Sequence, residues 1–354
     1  MKRITIRKGF DAHMHLRDGV MMSDVLPFTT NQFAGGVAMG NLPGNEVLDS
    51  FEKNLAYLEK IKALAPSFNA VVPLMVTREL LGRASYIVKT ALKHGIKVFK
   101  FIPAGLTTNG AEGLTLYDLY TNPFTELLEE LEENGIIFSC HFEVGTSRIH
   151  DDAPVQMLWQ EQEAIRFLQY LLEVYPKLKI VVEHASSYAM IYFIEKLPEK
   201  YQVAATLTPH HAIVNYWDVC NPDGNIYEPL KYCKPVAKQE QDINVVKLAM
   251  CSGNPRFFAG TDSAPHLYGI KLSQKSAGIF SAPVAMQTYT EIFEQLGRME
   301  YLENFTSVFG PQFYGFQPSD EKITLVKEQE RVASSLYDIP VFRGGDVIPW
   351  SIIK

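Results

Sequence analysis

The chain lacks the features that would direct it to a membrane, a nucleic acid or an oxidising compartment. It has no apolar run near the roughly 20 residues of a membrane span, and its opening, MKRITIRKGFDAH, has no apolar core of the signal-peptide kind. Lysine and arginine are interspersed among aspartate and glutamate, the formal charge is −7, and there is no basic stripe of the sort that phosphate backbones require. Nucleic acid is not an expected partner. Cysteine is scarce: Cys140, Cys220, Cys233 and Cys251 form no CxxC pair, and a chain this long needs no disulfide staples, so reduced thiols in the cytoplasm are expected. Repeats, low-complexity tracts and Gly/Ser linkers are missing too. Residues 1–354 are therefore expected to form a single domain, with the tail from about Asn304 wrapping the outside or capping one end.

What the chain does have is ample core material, 47% hydrophobic residues over 354 positions, arranged in a repeating order. Eight short β-rich runs alternate with longer stretches of helical periodicity: GFDAHMH, GGVAMGNL, NAVVPLMV, IKVFKFI, GIIFSCHF, LKIVVEH, QVAATLT and PRFFAGTD. Several are nearly continuous apolar runs, as expected for parallel strands buried on both faces. Between them, PFTELLEELEENG (Pro123 to Gly135) has an early proline, leucines at helical spacing, an acidic outer face and a glycine stop. Eight strand–helix units point to an α/β fold of the (β/α)8 TIM-barrel type. A doubly wound open sheet is the competitor that alternation alone leaves open.

The unusual polar residues fall at the C-terminal ends of these runs, where a parallel barrel keeps its active site. His13 and His15 close the first run, Lys100 lies in VFKFIPAG, His141 closes IIFSCH, His184 closes IVVEH and Asp262 closes FFAGTD. Residues i and i+2 of a strand share a face, so His13 and His15 should project together, with Met14 opposite. One such histidine alone is most often a hydrogen-bonded core residue. Four with a carboxylate, at equivalent ends of different strands, point to a metal site. Lys100 has no lone pair as an ammonium and in isolation reads as a residue snorkelling to the barrel rim. As a carbamate, formed with carbon dioxide, it would be an anion whose two oxygens could bridge two metal ions.

HMHLRDG, VFKFIPAGLTTNG, CHFE, VVEHASS and AGTDSAPH, followed by GPQFYGF, resemble the corresponding segments of the dihydroorotases of the amidohydrolase superfamily, specifically the bacterial single-function type, in order and spacing over nearly the whole chain. The resemblance implies a binuclear zinc site, with His13 and His15 on one Zn2+, His141 and His184 on the other, N6-carboxylysine at Lys100 bridging the pair, and Asp262 completing the first ion's shell. It also implies the reversible cyclisation of N-carbamoyl-L-aspartate to L-dihydroorotate in pyrimidine synthesis, a homodimeric assembly, and Asp262 as the group that moves the proton.

The substrate's free carboxylate needs fixed donors. Arg17 lies two residues beyond His15, on the same face if strand geometry persists, and its planar fork matches a carboxylate. The resemblance adds Asn41 and His266 as its helpers. It also implies that Thr107 and Thr108, in GLTTNG, reach the bound ligand as a lid would, and that main-chain groups near Lys234 and Ala277 hold the ring's polar edge. CKPVAK departs from the leucine-containing pattern of the bacterial form, although a main-chain contact tolerates a changed side chain. His210 and His211 of TPHH are read as structural or supporting residues. Two rivals remain: a hydantoinase-like cyclic-amide hydrolase, which needs no carboxylate clamp, and a non-catalytic homologue acting as a binding subunit, which should have lost a ligand.

Overall fold

A computed structural model describes residues 2–42, 46–106, 114–145 and 156–353. The eight runs become the staves of one parallel barrel. In chain order, after a short β1 (Arg3–Arg7), they are β2 (Gly9–Met14), β3 (Phe33–Ala38), a third stave split into β4 (Asn69–Val71) and β5 (Leu74–Met75), then β6 (Val98–Phe101), β7 (Ile137–Cys140), β8 (Lys179–Val182), β9 (Val203–Leu207) and β10 (Phe257–Ala259). Parallel pairing runs without interruption from β5 to β10 and from β2 to β4. The parallel bridge Met14–Ser263 joins the two ends, and this closure excludes the doubly wound sheet.

The split stave has a local cause. Pro73 has no N–H to give a ladder, and Asn54 Nδ2 compensates by donating to the carbonyls of Val72 and Pro73, each at 3.0 Å. Gly36 permits the close approach of β3 to β2, since a Cβ there would stand 2.3 Å from the Asp11 carbonyl oxygen. The helices follow the sequence's punctuation: Asn122–Glu133 starts with Pro123 in its first turn, and Gly135 takes φ 64° just beyond its end.

Inside the barrel Phe10, Val37, Val98, Ile137, Val181, Ala204 and Phe258 form a buried apolar layer. From the C-terminal part of the chain Tyr314 joins that layer, its ring 5.7 Å from Phe10 and 6.2 Å from Phe258. Farther on, Lys322–Val326 pairs antiparallel with β1 and with Ser351–Ile352. One end of the barrel is thus filled by apolar side chains, and the polar residues lie towards the other. Among the described residues no helix is long and apolar enough to cross a membrane.

Candidate active site

The strands place their polar residues by simple alternation. Val98 and Ile137 belong to the inner layer, so Lys100, Ser139 and His141, reached by steps of two, continue on that face; Val181 leads in the same way to Glu183. Register aligns them across the sheet, Lys100 beside Ser139 and Ser139 beside Val181. β2 does something less regular. Phe10 and Ala12 face inward while Met14 packs in the outer core, and pairing with β3 shifts register between Asp11 and Met14. This irregularity switches the parity of the strand and turns His13 and His15 together towards the axis, their ring centroids 5.3 Å apart.

Arg17 arrives by another route. Strand geometry does not persist to it, because β2 ends at Met14 and Arg17 has φ 60°. His184 and Asp262 adopt φ 42° and 43°. Three non-glycine residues in the left-handed region at one barrel mouth indicate a local conformation imposed by the surrounding structure.

The side chains converge on one cavity lined by His13, His15, Arg17, Asn41, Lys100, His141, His184, Lys234, Asp262, His266 and Ala277, among others. Asp262 Oδ1 stands 3.4 Å from His13 Nε2 and 3.2 Å from His15 Nε2. His141 Nδ1 stands 3.0 Å from His184 Nε2. These separations are close to the roughly 3.3 Å edge of a tetrahedron with 2.0–2.1 Å metal bonds. Two carboxylates absent from the expected set fix the rings. Glu183 Oε2 lies 2.6 Å from His13 Nδ1, and Glu143 Oε2 lies 2.7 Å from His141 Nε2. Each ring turns one nitrogen to its carboxylate and the other into the cavity. Burial lowers the pKa of His15 to about 4 and also depresses those of His141 and His184, which keeps the nitrogens unprotonated.

Burial works against Glu183 ionising, but Lys100, His13 and the bond from Ser139 outweigh it and hold its pKa near 2. Asp262 is likewise held well below the usual carboxylate range against its burial, by His15 and His13. Lys100 is 1% exposed, and its Nζ has no hydrogen-bond partner among the described residues; the Glu183 carboxylate is 4.0 Å away. Burial disfavours the ammonium. An orphaned amine beside converging lone pairs and carboxylates fits a site completed by cations and by an anionic form of that lysine.

The cavity's other wall is a donor cluster. Arg17 is buried, its pKa lowered by that burial to about 10, and no carboxylate lies within ion-pair distance of it among the described residues. Its Nε donates to the Pro265 carbonyl at 2.9 Å. Its Nη2 and the Ala277 carbonyl are both 3.0 Å from His266 Nε2, and that one nitrogen cannot accept from the first while donating to the second. A bound anion would resolve the conflict by accepting from the guanidinium. Asn41 Oδ1 is buried without a hydrogen-bond partner among the described residues. Lys234 lines the cavity and sends its Nζ to Gln160 Oε1 at 2.7 Å. Thr107 and Thr108 lie outside the described residues.

His210 and His211 sit apart from this set. The ligand atoms of His210, His211 and Cys233 fall within 4.8 Å of one another. His211, however, is engaged at both nitrogens, 2.8 Å from Thr208 Oγ1 and 2.8 Å from the Pro235 carbonyl. Glu143, Glu183 and the buried Asp11, which accepts from Thr261 N and Oγ1 at 2.7 and 2.6 Å, are the polar residues that the sequence reading passed over. Their signal was present: each is an acid within an apolar run, one or two residues from a histidine.

No protein-family model matches the chain. A curated protein named dihydroorotase from Sphingopyxis alaskensis is 36% identical over 99% of this chain and 99% of its own. The solved structure of a dihydroorotase from Saccharomyces cerevisiae in complex with 5-fluoroorotic acid superposes with a TM-score of 0.89 at 28% identity, covering 100% of this chain and 99% of that one. An L-hydantoinase from Arthrobacter aurescens shares the fold at 14% identity, with a TM-score of 0.75 over 99% of this chain and 83% of its own.

Proposed function

The chain belongs to the dihydroorotase family, and from that membership and the cavity's chemistry we propose that it catalyses the reversible cyclisation of N-carbamoyl-L-aspartate to L-dihydroorotate in pyrimidine biosynthesis. The observation that carries the substrate is Arg17, a buried guanidinium at the cavity wall with no carboxylate in ion-pair range among the described residues. A hydantoinase substrate has no acid group to use it. Turnover of dihydroorotate by the purified, metal-analysed protein tests this; a metal-loaded protein inert towards dihydroorotate but active on hydantoin or dihydrouracil would reject it.

His13, His15 and Asp262 would hold one zinc ion and His141 and His184 a second, with N6-carboxylysine at Lys100 between them; the converging nitrogens and the orphaned Lys100 Nζ support this assignment. When bound, such a pair supplies Lewis acidity at the amide carbonyl and makes water a competent nucleophile near neutral pH. The chain's own residues do the rest. Arg17, with Asn41 and His266, orients the substrate by its carboxylate, and main-chain groups near Lys234 and Ala277 hold the ring's polar edge. Asp262 takes the proton of the attacking water and delivers it to the ring nitrogen as the C–N bond breaks. In ring closure it takes the proton from the carbamoyl nitrogen as the C–N bond forms and gives it to the carboxylate oxygen that departs as the C–O bond breaks. Thr107 and Thr108 are assigned to the ligand on resemblance alone. Four buried free thiols support a reducing setting, the cytoplasm, and the resemblance supports a homodimer. Residues 1–354 are assigned to one amidohydrolase domain, the part from about Asn304 packing on the barrel.

Two outcomes are expected of the metal-holding residues. Lys100→Ala should lower metal content and reduce turnover by at least ~10-fold, the lower bound for losing even an outer partner of a metal site, with small carboxylic acids restoring part of it. Unchanged stoichiometry and full turnover would remove Lys100 from the site. Glu183→Gln should weaken metal affinity by ~10–100-fold by releasing the His13 ring. Competition with a chelator measures this, and wild-type affinity would reduce Glu183 to a packing role.

A further inference from the structure

Lys271, in the helix Tyr268–Gln274, is 1% exposed, and among the described residues it has no ion-pair partner. Its ammonium instead donates to three main-chain carbonyls: Tyr232 at 2.9 Å, Ser276 at 2.9 Å and Gly278 at 2.7 Å. All three N–H groups are used. Three carbonyl oxygens turned towards one buried point repel each other, so this convergence needs a cation at its centre.

The strands of chain so gathered are parts of the cavity wall. Gly278 N donates to the Tyr232 carbonyl at 3.0 Å, which docks the 276–278 segment on the stretch that leads into Lys234. Ala264 N donates to the Ile279 carbonyl at 2.8 Å, tying the same segment to the strand end beyond Asp262. Gly278 adopts φ 139°, and a Cβ there would meet Ala264 Cβ and its carbonyl oxygen at 2.8 Å. The Ala277 carbonyl between them is the one that faces His266.

We propose that Lys271 is a positioning residue for the reaction: its ammonium clamps the Tyr232 and Ser276–Gly278 main chain so that the backbone near Lys234 and Ala277 meets the substrate ring at a fixed spacing. Lys271 itself touches no substrate. The proposal rests on the dihydroorotase reading, and it concerns binding of the ring rather than the bond-breaking step.

The test is steady-state kinetics in both directions on wild type, Lys271→Met and Lys271→Gln, with metal content and thermal midpoint measured on each. Lys271→Met is expected to raise KM for dihydroorotate and for carbamoyl-aspartate by at least ~10-fold while kcat stays within about threefold, the pattern of lost binding shared by ground and transition states. Lys271→Gln, which keeps two donors, should raise KM less and covers the case in which the methionine variant does not fold. Wild-type KM in a folded variant overturns the proposal, as does a loss confined to kcat or one proportional to lost metal. A wild-type protein inert on dihydroorotate would instead overturn the underlying assignment.

Discussion

Replacing Asp262 with asparagine is expected to lower turnover by at least ~100-fold in both directions, the low end of what a positioned general acid–base contributes, while most of the bound metal stays. Asp262 meets His13 and His15 through the same oxygen, Oδ1, at 3.4 and 3.2 Å, so those contacts leave Oδ2 uncommitted. Its backbone adopts φ 43° and is pinned by a 2.7 Å bond from its N–H to the His13 carbonyl, and its side chain lines the cavity. Asparagine keeps an oxygen in the Oδ1 position but has no basic site that can take up a proton and release it again. A ratio of 100 corresponds to about 2.7 kcal/mol of transition-state stabilisation. Metal analysis alongside the kinetics separates the two roles. Near wild-type rates in either direction would rule out proton transfer by Asp262, and rates that fall only in step with lost metal would make it a ligand alone.

Alternation was enough to locate the staves and most of what stands at their ends, because strand period and apolar content are local properties. All eight runs match strands of the barrel, and His13, His15, Lys100, His141, His184 and Asp262 line one cavity. What local pattern could not supply was anything set by a neighbour. The break at Pro73 is tolerated because Asn54, on the preceding helix, donates to the buried carbonyls of Val72 and Pro73. The parity switch within β2 depends on its register with β3, and without it His13 and His15 would not share the face that Lys100 occupies. Glu183 and Glu143 become meaningful only once the fold brings the first against His13, 170 residues away, and turns the second back onto His141. Arg17 was expected to reach the cavity by continued strand geometry; it does so through a left-handed residue after the strand has ended.

Arg17→Met should cost roughly 2–5 kcal/mol in kcat/KM on dihydroorotate, the range for removing one partner of a buried charge pair, with metal content unchanged. Arg17 is 4% exposed, and its Nε is already committed to the Pro265 carbonyl. That anchor fixes the fork, so little side-chain freedom is lost when a carboxylate arrives. Its Nη2 points at His266 Nε2, a nitrogen that also faces the Ala277 carbonyl, which leaves the donor without a dependable acceptor until an anion binds. Methionine fills much of the same volume, so the loss should measure the charge and its hydrogen bonds more than packing. Dihydrouracil supplies the control, because it is the same ring without the acid group. It should be a poor substrate for the wild type and lose little further in the variant, since Arg17 has nothing there to hold. A mutation that depressed both substrates equally, or stripped the metals, would make Arg17 a support of the barrel mouth and remove the main physical reason for preferring dihydroorotate over an uncharged cyclic amide.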